Sequence, residues 1–235
     1  MNLKFIGIYT PSAIQVMRSV PDQTLHRLPE GVSYEHAAMI EPVAVACHDV
    51  RLGELKAGEF AVVLGGGPIG ILIGLVAKAT GARVVVSEIN PFRIELAQSL
   101  GLEAVDPRST DMVALVNEKT GGAGADVVFE VTGSAPAVEL MTKLPRVRGR
   151  MVMVAIHGQP APIDLFKFFW RELRLIGARV YEPQDFERAL ELAAAKALPL
   201  DRLITHRTTL GGAVQDIPRW AQEKSGLIKA LVEIG

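Results

Sequence analysis

Glu41, Cys47 and His48 fall within eight residues in the run "IEPVAVACHDV", and each belongs to a residue type that binds zinc. A catalytic zinc site needs three protein ligands on one ion and an open position for a reactant. The surrounding "SYEHAAMIEPVAVACHDVRL" reads as helical, with a local break at Pro42. On a helix Glu41 and His48, seven positions apart, share a face but sit about 10 Å apart along the axis. Bonds of about 2 Å to a single ion do not bridge that gap. Cys47, six positions from Glu41, is rotated off its face. The five histidines, at 26, 36, 48, 157 and 206, show no H-x-x-x-H spacing. Cys47 is therefore expected as a small core residue, and His48 on the helix surface or facing a cofactor. His157, just past a strand end, is a weaker candidate for the substrate side.

A second set of residues points to a diphosphate. "LGGGPIG" supplies G-x-G-x-x-G as Gly65, Gly67 and Gly70. In a chain with 22 glycines the pattern alone is weak, but here it follows a β-branched run and opens a helical one. Gly65 permits the tight turn, Gly67 lets the backbone approach a pyrophosphate, and Gly70 lets the helix lie close to the strand. Pro68 and Ile69 begin that helix, whose free N–H groups and positive end face the diphosphate. Glu88 ends the following strand. A carboxylate there accepts from an adenosine ribose and repels a 2′-phosphate, which favours NAD over NADP. Arg93 stands five residues on, able to stack on adenine or pair with the ribose region, and leaves some tolerance for NADP. A methyltransferase binding S-adenosylmethionine is the rival reading; the complete glycine pattern and a sixth strand favour the dinucleotide.

The elements that must position these residues alternate. "FAVVLG", "ARVVVSE", "AVDP", "ADVVFEVTG", "GRMVMVAIHG" and "ELRLIGARVY" read as strands, separated by helical runs opened by Pro68, Pro91, Thr110 or Asp111, and Ala135. The strands are apolar throughout, as strands covered on both faces are. Strand–helix repetition of this kind means an α/β fold with a doubly wound, six-stranded parallel sheet. Residues 1–33 are strand-like without helix alternation, and 201–235 give two strands around one amphipathic helix. These flanks are expected to form a remnant of a second domain, with the dinucleotide-binding domain over 34–200.

Bulk properties exclude other classes. A net charge of −1 without like-charge blocks argues against nucleic acid and anionic membranes. One cysteine excludes an internal disulfide or a four-cysteine zinc lobe and fits a reducing compartment, the cytoplasm. The uncharged run Phe60–Ala77 holds five glycines and a proline, which suits strand, turn and helix better than a membrane span. The aromatics of "FKFFWRELR", flanked by Lys167, Arg171 and Arg174, are expected to bury against the sheet or a second subunit.

The ordered run from "LHRLPEGVSYEHAAMIEPVAVACHDV" to "GARVVVSEINPFRIELAQSLG" resembles the zinc-type medium-chain dehydrogenases, nearest their polyol (sorbitol-like) and threonine dehydrogenase branch. "VTGS", "RGRMVMVAIHG", "ELRLIGARV" and "LITHRTTL" with "IKALVEIG" continue the resemblance over roughly residues 20–235. It implies a Rossmann domain for NAD and hydride transfer between a secondary alcohol and nicotinamide. It adds Val131, Thr132, Ala155 and Ile156 as cofactor contacts. It sets Glu41 where polyol dehydrogenases carry a carboxylate at or near zinc, and it implies a homodimer through the edge strand near 172–180.

The departures bear on catalysis. The family's cysteine and Gly-His-Glu zinc ligands have no counterpart, and its Gly-Gly-Phe-Ala-Glu-Tyr stretch is replaced by "PSAIQVM", Pro11–Met17. Its substrate-side arginine would fall at Val180, whereas Arg179 lies one place earlier. The expectation is an NAD-dependent, alcohol or polyol dehydrogenase-like oxidoreductase that is catalytically incomplete as this chain, with zinc not expected in it and no catalytic base assigned. The alternatives are a non-catalytic NAD(H)-binding or regulatory module, or a fragment of a longer dehydrogenase.

Overall fold

Short apolar, β-branched runs become strands here, and the central ones, Phe60–Leu64 and Ala125–Glu130, are covered on both faces. The computed structural model describes residues 17–222 and 226–234. Helices α1 (Tyr34–Ala37) and α2 (Ile40–Leu52) precede β1 (Phe60–Leu64). There follow α3 (Pro68–Ala79), β2 (Arg83–Ser87), α4 (Pro91–Ser99), β3 (Glu103–Val105), α5 (Met112–Thr120) and β4 (Ala125–Glu130). Next come α6 (Ala135–Met141), β5 (Pro145–Met153), α7 (Leu165–Arg171), β6 (Arg174–Gly177) and α8 (Pro183–Ala194). The chain then adds β7 (Ile204–Thr209), α9 (Ala213–Gln222) and β8 (Lys229–Glu233).

The first six strands form one parallel sheet in the order β3-β2-β1-β4-β5-β6. This is the doubly wound Rossmann order, and chain direction reverses across the sheet between β1 and β4. Successive residues of β1 serve opposite cores. Ala61 and Val63 join α2, α3 and α8 on one face, while Phe60, Val62 and Leu64 join α5 and α6 on the other. All five β1 residues are buried, so no polar alternation remains to be seen in the sequence.

The described part of the N-terminal flank forms less structure than its sequence suggested. Met17–Ser33 contains a single 3-10 turn, Asp22–Thr24, and no strand; Pro11–Val16 lie outside the described residues. The helix break comes at Ala38–Met39 rather than at Pro42. Pro42 sits in the first turn of α2, where its missing N–H is one that the helix could not have paired. β7 and β8 pair with each other in parallel as a small second sheet. Leu200, Leu203, Ile204 and Ile228 share the core of α2 and α3. The aromatics of α7 also differ from expectation within this chain. Phe168 packs on the core, but Phe166, Phe169 and Trp170 are exposed, because the helix sits at the margin of the sheet. Among the described residues, no helix is long and apolar enough to cross a membrane.

Candidate functional site: the strand-end cleft

Four loops meet where β1, β2, β4 and β5 end, on either side of the reversal between β1 and β4. Open α/β sheets bind ligands in this position. The glycine loop is locked by contact. A Cβ on Gly70 would lie 1.8 Å from the Gly65 carbonyl oxygen, so α3 can lie against the loop only with glycine there. Gly65 has φ +108°, and a side chain on it would meet Thr132 Cγ2 at 2.8 Å. Gly67 is the N-cap of α3 and Pro68 its first residue, with no side chain capping the turn. The N–H groups of Ile69 and Gly70 and the helix dipole are left to a ligand.

Glu88 closes the floor of this loop. It is 7% exposed and accepts from Gly66 N–H on one oxygen (2.8 Å), and from Ile89 N–H (2.7 Å) and Asn90 N–H (2.9 Å) on the other. A carboxylate has about four acceptor positions, so three donors leave one for an incoming hydroxyl. Arg93 Nη1 stands 3.8 Å from Glu88, and Arg93 Nε is buried without a hydrogen-bond partner. The expected residues Gly65, Gly67, Pro68, Ile69, Gly70, Glu88 and Arg93 are thus brought together.

Val131, Thr132, Ala155 and Ile156 lie on the two loops across the cleft. Val131 N–H donates to the Leu64 carbonyl at the end of β1 (2.9 Å), and Val154 and Ala155 N–H both donate to the Glu130 carbonyl (2.9 and 3.0 Å). Ile156 is 97% exposed at the tip of its loop. The sequence reading passed over Gly66, Glu130 and Ser134. Gly66 needs to be glycine because a Cβ would lie 2.9 Å from that of Glu88. Ser134 Oγ accepts from Ala137 N–H to cap α6 and bonds Thr132 Oγ1 (2.8 Å). A usable signal existed for Glu130: like Glu88, it is a single acid ending an apolar strand.

The three metal-type residues of α2 do not converge. Glu41 is exposed, and desolvation by nearby protein nudges its carboxyl upward against the pull of Lys229. Cys47 is core, its thiol pushed up to about 12 by burial, which opposes the thiolate that zinc requires. His48 is neither on the surface nor in the cleft: it is 7% exposed, and its Nδ1 lies 2.8 Å from Asp185 of α8. Its seven-residue offset carries it about 10 Å along α2 from Glu41, to where Asp185 of α8 lies. His48, Glu182 and Asp185 are close enough to hold an ion, but Arg51 already fills that place. Its guanidinium donates to Asp185 at 2.7 and 2.9 Å and to Glu182 at 2.5 Å. Burial raises the Asp185 carboxyl, yet the Arg51 guanidinium, Glu182 N–H and His48 outweigh it and hold Asp185 down at about 2. The described residues therefore do not fit a catalytic zinc.

A profile of the zinc-binding dehydrogenases matches residues 68–195. The chain is 52% identical to the 2-dehydro-3-deoxy-L-galactonate 5-dehydrogenase of Pseudoalteromonas atlantica, over 99% of this chain and 68% of that protein. Its fold superposes on the 2R,3R-butanediol dehydrogenase of Bacillus subtilis with a TM-score of 0.84 and 34% identity, covering 89% of this chain. It spans 60% of that enzyme's length. A candidate zinc-binding dehydrogenase of Sinorhizobium meliloti, solved bound to NADP, gives a TM-score of 0.87 and 31% identity, over 99% of this chain and 69% of that one. Fold, glycine loop and these matches agree: the chain belongs to the zinc-binding dehydrogenase family.

Proposed function

We propose that this chain binds NAD(H) in the strand-end cleft and presents its nicotinamide for hydride exchange with a secondary alcohol. The observation that carries the reading is the pairing of the uncapped α3 N-terminus with Glu88. The first offers N–H groups to a diphosphate, and the second keeps one acceptor position for a ribose hydroxyl. Glu88 favours NAD over NADP because a 2′-phosphate would be forced against a nearly buried carboxylate, while Arg93 beside it softens that preference.

When bound, NAD would take hydride at nicotinamide C4 from the alcohol carbon, with the hydroxyl proton passing to solvent. This chain's part is to bind, orient and space the dinucleotide. Ligands for the zinc that the family name implies would have to come from beyond the described residues. The sugar-acid name of the Pseudoalteromonas relative makes a hydroxylated carboxylate the preferred substrate class.

A second copy of the chain is the proposed partner. β6 is the last strand of the sheet, Leu175 on it is 43% exposed, and Phe169 and Trp170 stand exposed on the adjoining helix. Two-fold pairing of β6 with its mate would cover this edge. Light scattering should find a dimer that Leu175→Lys dissociates.

Calorimetry with NADH, NADPH and S-adenosylmethionine tests the cofactor. NADH should bind more tightly than NADPH, and S-adenosylmethionine not at all. Failure of NADH to bind overturns the reading.

A further inference from the structure

Glu130 and His157 belong to no step of the proposed chemistry, yet they join the two loops on the nicotinamide side of the cleft. Glu130 is 0% exposed at the end of β4. Its Oε1 accepts from Thr132 N–H (2.8 Å), Thr132 Oγ1 (2.6 Å) and Gly133 N–H (3.1 Å). Its Oε2 takes a second, longer contact from Gly133 N–H (3.3 Å) and lies 3.0 Å from His157 Nε2. An ionised carboxylate only accepts, so His157 Nε2 carries the hydrogen and donates. Met153 Sδ, 3.1 Å from the same nitrogen, is a weaker acceptor for it.

Four donor groups on a carboxylate with about four acceptor positions leave none for a ligand. Glu88, with three donors, keeps one open. That difference separates a residue that reads a ligand from one that only holds protein. Glu130 also fixes the neighbouring loop through its backbone, where its carbonyl takes both Val154 and Ala155 N–H. The β5 loop is thus anchored at Val154–Ala155 on one side and at His157 on the other. Ile156 stands between the anchors with its side chain 97% exposed.

We infer that Glu130 and His157 form a latch that sets the spacing of the Val131–Ser134 and Ala155–His157 loops, with His157 a positioning residue for the nicotinamide half of the cofactor. This rests on the dinucleotide reading above. It also gives His157 a role within the protein, since its Nε2 hydrogen is committed to Glu130.

The test compares NADH with ADP-ribose, which lacks nicotinamide, by calorimetry on the purified chain and its His157→Ala and His157→Gln variants. His157→Ala should weaken NADH about tenfold, the scale of one lost hydrogen bond to a charged group, and leave ADP-ribose within about twofold. His157→Gln, whose amide N–H replaces the donor, should recover most of the NADH affinity. Unchanged ADP-ribose binding also certifies that the variant is folded. The latch is overturned if His157→Ala weakens both ligands alike, if it weakens neither, or if His157→Gln fails to recover. If the unaltered chain binds neither ligand, the dinucleotide reading falls and the latch with it; binding of both with no selective loss removes the latch alone.

Discussion

Two histidine–carboxylate pairs of similar geometry do different work in this molecule. His48 meets Asp185 at 2.8 Å between α2 and α8, and His157 meets Glu130 at 3.0 Å between two loops at the strand ends. In the helix pair a guanidinium, Arg51, completes the charge balance and ties the cluster to the start of α8, whose Glu182 N–H also donates to Asp185 (2.9 Å). In the strand-end pair no cation intervenes; backbone N–H groups complete it. The lesson is that residue type and distance do not identify a functional site. What a site's donors are attached to does: rigid helices in one case, loops that line a cleft in the other.

The largest expected effect breaks the helix side of the comparison. Asp49, 1% exposed beside this cluster, has its carboxyl pushed up to about 7 by burial and by the Asp185 charge, and its Oδ2 has no hydrogen-bond partner. Its value in the unfolded chain is about 3.9, so the native state keeps a proton that the unfolded state loses. Stability should therefore fall as pH rises from about 4 to about 7 and stay level above that. Asp49→Asn, which mimics the protonated form, should gain up to about 4 kcal/mol over the parent at pH 8 and little at pH 4, measured by denaturant unfolding. A variant that gained equally at both would show that Asp49 is ionised throughout. Asp185 acts oppositely: held at about 2, it supplies stability above about pH 4 that is lost as pH falls toward 2.

Next in size, Asp185→Ala should cost about 3 kcal/mol, since it leaves His48 and the inner face of Arg51 unpaired. NADH affinity of the folded variant should stay as it was. A large change in that affinity would erase the distinction between the two clusters. Gly70→Ala probes the strand-end side: displacing α3 from the Gly65 carbonyl should weaken NADH about a hundredfold. The smallest effect sharpens selectivity. Glu88→Gln should move the ratio of NADPH to NADH affinity about tenfold toward NADPH, read by calorimetry; no change would transfer the discrimination to other residues.

Much of the fold was legible because its signals are local. Pro68, Pro91 and Asp111 open helices where the sequence indicated, and the apolar runs became the strands that they resembled. The glycine loop was legible for the same reason, since a turn, a helix start and a strand end fall within a dozen residues. The α2 histidine was not. Its spacing from Glu41 pointed away from a shared ion, but its partner lies 137 residues away on α8. Glu130 ends an apolar strand as Glu88 does, but two of its four donors are backbone groups, which carry no mark in the sequence, and a third, His157, lies 27 residues on.

By itself, then, the sequence determined the alternation of strands and helices, the glycine loop, the acid at the end of β2 and the lack of a shared metal for Glu41, Cys47 and His48. Those depend on residue type and on spacing along one element. Only the tertiary structure decided that Arg51 occupies the one ion-sized cluster among the described residues, that Glu88 keeps a free acceptor position, and that Glu130 keeps none. These are counts of donors arriving from separate elements, and a donor can be counted only after the chain has brought it there.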